Sequence, residues 1–306
     1  MPLALPDTPT FARLDARLRG PGSAAIVEAD ELEAMARESG LDAHAIVLAC
    51  LGWAQRWARA PVSNFEVGAA ALGGSGRLYL GANIEFRGQP LAQTIHAEQA
   101  VIAHAWAHAE ARIELLATSA APCGYCRQFL LELPEPRPRL LLADHSPALT
   151  SLDALLPEAF GPTQLGRAPQ LLRAGPHGLR LASSSAASEL ERAALAAADR
   201  GSAPYTGALS GVAVQASDGS IHAGAIAESV AYNPTLAPMQ AALIAAHHGG
   251  AHVETIMHAV LVEIDGAQIS QLDHAAAILA SVAAGATLRR TLALAPSTGE
   301  RGERGE

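Results

Sequence analysis

Hydrophobic positions along the chain alternate between two periods. Within residues 24–39, Leu32, Met35 and Ala36 recur at helical spacing and Gly40 offers a stop, which predicts a helix. A second helix is predicted over about residues 42–59, ahead of Pro61, and two more over residues 94–110 and 123–132. Short apolar runs at 67–72 and 78–82 flank Gly73-Gly74-Ser75-Gly76 and predict a strand–turn–strand unit. Residues 113–119 and 139–143 predict two further strands, the second following the proline-rich 134–138. Strands alternating with helices imply an α/β fold, a mixed sheet covered by helices in three α-β-α layers.

The second half repeats this pattern. Residues 157–186 are richer in Pro, Gly and Ser and less periodic, as expected of a linker, and 189–199 is again helical. A shift of 143 positions superposes Pro61 on Pro204, Gly68 on Gly211, Gly76 on Gly219, Gly81 on Gly224 and Glu85 on Glu228. No gap is needed over about forty residues, which points to a duplicated domain. The organisation expected is an N-terminal helical segment (1–43), a first domain (44–156), a linker (157–186), a second domain (187–296) and a disordered, charged tail (297–306).

Composition removes several function classes. No apolar run reaches the length of a membrane span, and the start lacks a basic region ahead of an apolar one, so neither a membrane partner nor a signal peptide is expected and the cytoplasm is the expected compartment. The net charge is -9 and every basic residue is arginine, which disfavours nucleic acid as a partner, because its binding rests on phosphate neutralisation. Of three cysteines, Cys50 lies in an apolar run and reads as core, which leaves Cys123 and Cys126 in a C-x-x-C pair for chemistry.

The chemistry concentrates in Thr94-Ile95-His96-Ala97-Glu98-Gln99 and Pro122-Cys123-Gly124-Tyr125-Cys126. One imidazole and two thiols make three of the four ligands of a tetrahedral zinc ion, with the fourth place open for water. The C-x-x-C at a helix start aims both sulfurs at one ion and favours thiolate. Glu98, two residues past His96, is placed to move protons at that ion. H-x-E followed by P-C-x-x-C is the signature of zinc-dependent nucleobase deaminases. Under the 143-residue shift, His96 falls on Met239, Glu98 on Ala241, Cys123 on Gly266 and Cys126 on Ile269, so the second copy lacks every ligand and the acid. Three readings remain open on these residues alone: a free-nucleoside deaminase, a deaminase of another amino-bearing substrate, and a non-enzymatic zinc-stabilised module.

These segments resemble the cytidine deaminase family, in its larger homodimeric bacterial and plant form. The resemblance extends over Pro61-Val62-Ser63-Asn64-Phe65-Glu66-Val67-Gly68-Ala69, Gly81-Ala82-Asn83-Ile84-Glu85-Phe86, Leu156-Pro157-Glu158-Ala159-Phe160-Gly161-Pro162 and Tyr232-Asn233-Pro234-Thr235-Leu236. Tyr125 stands where the family motif often has histidine, and Glu158 where it has aspartate. The resemblance implies hydrolytic deamination of cytidine and 2'-deoxycytidine in pyrimidine salvage, with one zinc ion per chain on His96, Cys123 and Cys126. It further implies that water is delivered to C4 at the zinc while Glu98 protonates N3 and then the departing amine. Asn83 and Glu85 are implied to hold the ribose 3'-hydroxyl, Phe65 to pack on the pyrimidine, the backbone at Ala97 to read the base edge, and Phe160 to lie near the closure of the site. A homodimer is implied, with a catalytically dead second domain that helps to close the partner's site.

Overall fold

The computed structural model of the chain describes residues 5–143, 149–183 and 186–296; the tail 297–306, expected to be disordered, lies outside them. The chain divides into two compact units. The first comprises residues 1–173 and takes in two later segments, 229–235 and 247–251; the second comprises 174–228, 236–246 and 252–306.

The first unit is built from α1 (Pro9–Arg19), β1 (Ile26–Val27), α2 (Ala29–Ser39), α3 (Ala43–Ala49), α4 (Leu51–Gln55), β2 (Gly68–Gly73), β3 (Leu78–Ala82), α5 (Ala97–Ala107), β4 (Ile113–Thr118), α6 (Gly124–Leu130), β5 (Arg139–Leu142), β6 (Leu149–Thr150) and α7 (Leu152–Leu155). Its sheet runs β1-β3-β2-β4-β5-β6, with only β4 and β5 parallel. One face of the sheet, with Ala70, Leu78, Leu80, Leu115, Ala117 and Leu141, shares a core with Phe11, Leu14, Met35, Ile46 and Trp53. The N-terminal helices and the sheet therefore pack as one body. The other face meets α5. A Cβ on Gly81 falls 2.4 Å from the Val101 amide nitrogen, so only glycine permits this approach. Helix α5 is buried without interruption from Ala97 to Trp106, as an apolar helix must be.

The helix expected over residues 24–39 begins only at Ala29, because the β-branched pair Ile26–Val27 adds to the sheet edge against Leu78 and Tyr79.

The second unit contains β7 (Arg180–Leu181), α8 (Glu189–Asp199), β8 (Ser210–Ala216), β9 (Ile221–Ala225), α9 (Pro238–His248, whose last two residues belong to the first unit), β10 (Ile256–Ile264), α10 (Leu272–Val282) and β11 (Thr287–Leu294). Its order is β7-β11-β10-β8-β9, with β10 and β11 parallel. The run β9-β8-β10-β11 repeats β3-β2-β4-β5 strand for strand. Pairs Gly68↔Ala82 and Ala69↔Thr118 return as Gly211↔Ala225 and Val212↔Leu261, each shifted by 143.

The shift is not constant between those strands. Ile84 pairs with Ile95, whereas Ala227 pairs with Leu236, so the connection into α9 is two residues shorter than that into α5. The counterpart of His96 is therefore Ala237 and that of Glu98 is Met239, in place of the gapless pairing. Gln99 then matches Gln240, and both accept a bond from the backbone amide three residues earlier. The shift is 143 again at β10, but β11 pairs with β10 at a shift of 148, and α10 begins at Leu272 where α6 begins at Gly124. Gly266 and Ile269 therefore precede α10 and are not the counterparts of Cys123 and Cys126; the second unit has no cysteine.

His104 on α5 is fully buried, with Nδ1 2.9 Å from the Leu80 carbonyl oxygen. Burial pushes its pKa down to about 3. A histidine neutral in the fold and titrating at about 6.5 when unfolded stabilises fully above about pH 6.5 and loses that contribution as pH falls towards 3. Trp53, Trp57 and Trp106 all lie in the first unit, so their fluorescence reports its unfolding. We expect the wild type to lose about 2 kcal/mol more than His104→Asn in denaturant unfolding between pH 7.5 and pH 5; equal losses disprove the role given to this burial.

Candidate metal centre and substrate cavity

The site forms where three chain segments leave the sheet. Past β3 the chain stays extended. The Ile84 amide donates to Ile95 O and the Ile95 amide to Ile84 O, both at 2.9 Å. On the other side the Arg59 amide donates to Asn83 O at 2.9 Å and the Glu85 amide to Arg59 O at 2.8 Å. Period-two geometry turns Asn83 and Glu85 to the same side of this extension and Ile84 to the other, where it is buried. The pairing also delivers His96, which immediately precedes α5 as its N-cap.

The third segment follows β4. Cys123 is the N-cap of α6 and Cys126 lies in its first turn. Arg127 pins the loop, donating from Nε to Pro122 O at 2.8 Å and from Nη1 to Leu155 O at 2.6 Å. His96 Nδ1 lies 3.5 Å from Cys123 Sγ and 3.3 Å from Cys126 Sγ, and the sulfurs are 3.8 Å apart. Zinc bonds of about 2.3 Å to sulfur and about 2.0–2.1 Å to nitrogen, at tetrahedral angles, require edges of about 3.8 Å and 3.5 Å. The donor set and its spacing therefore fit a zinc ion. Among the described residues, this is the single group of three or more His, Cys, Asp or Glu side chains close enough to share an ion.

The electrostatics match this arrangement. Cys123 is driven down to about 3, first by its hydrogen bond with Cys126 and then by His96. Cys126 is pushed up by donating to Cys123 and by burial. His96 is raised, chiefly by Cys123. Glu98, 4% exposed, is raised by burial, which outweighs the lowering effects of hydrogen bonds from its own amide and Cys126. A carboxyl raised in this way takes up a proton more readily than an ordinary one.

A cavity of about 280 Å³ opens over these groups, lined by Ser63, Phe65, Val67, Asn83, Glu85, Thr94, His96, Ala97, Glu98, Ala120, Ala121 and Cys123. Seven of the nine sequence-identified residues are in this lining. Cys126 is buried beneath it, and Phe160 is outside it, half-exposed with its carbonyl held by Gln128 Nε2 at 2.7 Å. Asn83 uses both ends of its amide on the neighbouring loop, accepting from the Val67 amide and donating to Phe65 O, each at 2.9 Å.

Two models of the cytidine and deoxycytidylate deaminase zinc-binding region match the chain, over residues 42–137 and 152–276. Cytidine deaminase of Serratia proteamaculans is 41% identical over 270 residues, covering 88% of this chain and 90% of that protein. That of Yersinia pestis (strain Pestoides F) is 41% identical over 287 residues, covering 94% and 96%. The chain belongs to the cytidine deaminase family. A solved cytidine deaminase from Burkholderia pseudomallei is 30% identical, with 39% of this chain covered, 100% of that chain and a TM-score of 0.35. Zinc is the cofactor of the first unit of this deaminase. The second matched region retains the fold but has Ala237 at the histidine position and no cysteine.

Ser63, Val67, Thr94, Ala120 and Ala121 line the cavity without having been singled out in the sequence. Only Ser63 carried a usable signal, since its repeat partner Thr206 also bears a hydroxyl. For the thiols we expect iodoacetamide at pH 6 to label Cys123 in the metal-free protein well ahead of Cys126 and Cys50, both buried and both raised, Cys126 first by its hydrogen bond with Cys123 and Cys50 by burial. Added zinc should suppress that labelling; equal labelling of all three, or labelling indifferent to zinc, refutes the site.

Proposed function

We propose that the protein hydrolyses cytidine and 2'-deoxycytidine to uridine and 2'-deoxyuridine, releasing ammonia, as a pyrimidine-salvage enzyme. The observation that carries this reading is one cavity holding a zinc-spaced donor triad, a buried carboxyl and an amide–carboxylate pair. When bound by His96, Cys123 and Cys126, zinc supplies a Lewis acid that acidifies water at the open ligand position.

The chain's own residues do the rest. Glu98 takes a proton from the water, gives it to N3 of the ring, and later carries a proton to the leaving amine. Its burial beside the ligands and its raised pKa support this role, since a carboxyl so placed holds a proton more readily than an exposed one. Phe65, 61% exposed at the rim, offers a ring face for the pyrimidine. Glu85 and Asn83 face the ribose, and a carboxylate and an amide are suitable partners for a sugar hydroxyl. The Ala97 backbone meets the base edge. The lining contains no arginine among its described residues, and both Glu85 and Glu98 are acidic, which favours a nucleoside over a nucleotide.

The reading includes a homodimer and a cytoplasmic location. The family resemblance supports the dimer, with Phe160 at its closure, and exposed apolar side chains such as Leu91, Phe160 and Leu165 suit a covered surface.

Ultraviolet measurement of cytidine loss, with ammonia quantified, tests the reaction. We expect turnover of cytidine and deoxycytidine, loss of activity with a chelator, and poor turnover of cytidine monophosphate. Glu98→Gln should retain zinc while kcat falls about 10²–10⁴-fold. Wild-type kcat in that variant, or no ammonia from the zinc-loaded wild type, overturns the assignment.

A further inference from the structure

The loop at the cavity rim, residues 61–65, is held by one side chain that the mechanism does not use. Ser63 Oγ donates to Glu85 Oε1 at 2.5 Å and accepts from the Phe65 amide at 3.0 Å. Glu85 Oε2 accepts from the Val62 amide at 2.8 Å and the Ser63 amide at 3.0 Å. The Ser63 hydroxyl thus joins two proposed substrate-contacting residues, Glu85 through its carboxylate and Phe65 through its backbone amide. Each carboxylate oxygen can accept about two hydrogen bonds. Oε2 is therefore filled by the loop, and Oε1 keeps one lone pair for a ligand.

The second unit contains the same clamp without the chemistry. Glu228 Oε2 accepts from the Tyr205 amide at 3.0 Å and the Thr206 amide at 3.3 Å. Thr206 Oγ1 donates to Glu228 Oε1 and accepts from the Ala208 amide, the latter at 3.0 Å. The residue after the hydroxyl is left-handed in both loops, Asn64 at φ 55° and Gly207 at φ 70°. What differs is what the loop presents: Phe65 corresponds to Ala208, and Asn83 to the buried Ile226. A clamp retained where no substrate binds is a folding device for the loop, and in the first unit that device carries the substrate contacts.

We propose that Ser63 is the positioning residue of the substrate cavity. Its hydroxyl orients Glu85 so that one lone pair of Oε1 faces the sugar, and it fixes the backbone that presents Phe65. The inference rests on the nucleoside reading of the cavity. It assigns Glu85 two simultaneous roles, loop anchor and sugar acceptor, and it makes threonine an adequate replacement at position 63.

The test uses the zinc-loaded full chain. Ser63→Ala should raise KM for cytidine about tenfold with kcat within about twofold, as expected when charge-assisted bonds that orient a binding group are lost. Ser63→Thr should stay within about twofold of wild type in both constants. Thr206→Ala, the matching change in the second unit, should leave KM unchanged. Hydrogen exchange over residues 60–67, read by mass spectrometry without substrate, should quicken in Ser63→Ala and not in Ser63→Thr. Wild-type KM in Ser63→Ala, a Ser63→Thr variant as impaired as Ser63→Ala, or unaltered exchange overturns the proposal. If the wild type fails to deaminate cytidine, the functional reading falls separately, and the exchange measurement still decides the clamp.

Discussion

The site depends on one short stretch of paired backbone beyond β3. Ile84 is bonded to Ile95 on one side, and its neighbours Asn83 and Glu85 are bonded to Arg59 on the other. Four amide–carbonyl bonds thereby gather three things that the chain keeps far apart: the rim loop after Arg59, the polar pair of the extension, and the histidine that opens α5. Such bonds contribute about 1 kcal/mol each, and their geometric effect is the greater one. They leave Asn83 and Glu85 no freedom to turn away from the cavity, because a one-residue slip would exchange them with Ile84. The second unit repeats the arrangement, with Ala227 bonded to Leu236 and its neighbours to Ser202.

That repetition separates folding from chemistry within a single chain. Positions retained in both units are Gly68/Gly211 and Gly81/Gly224, where a helix or its neighbour approaches the sheet too closely for a Cβ. The rim clamp Ser63–Glu85/Thr206–Glu228 and the helix-capping pair Gln99/Gln240 are retained as well. Positions that changed are His96, Glu98, Asn83 and Phe65, replaced by Ala237, Met239, Ile226 and Ala208, and the second unit has no cysteine. Every replacement is smaller or apolar. Once no ion or substrate uses a buried polar group, it costs stability, and an apolar group at the same place relieves that cost.

Much of this was legible in the sequence. His96, Glu98, Cys123 and Cys126 carry a spacing that few other chemistries need, and the glycines of the two sheets retain a fixed offset because backbone contact leaves no alternative to glycine. What stayed hidden is what spacing does not encode. The two-residue shortening before α9 is compensated before β10, so a gapless comparison looked sound on both sides and mispaired the helix between them. The packing of α1 and α2 onto the sheet depends on apolar positions such as Phe11 and Met35, which carry no mark of their partner. Ser63 is a common residue in an ordinary loop, and only its bonds to Glu85 and Phe65 show what it does.

One framework is present twice in the chain and able to hold zinc once. Metal analysis of the purified chain decides this. We expect one zinc per chain in the wild type and none in the Cys123→Ser, Cys126→Ser double variant, with the second unit still folded. Two zinc ions per wild-type chain, or one retained in the double variant, would contradict it.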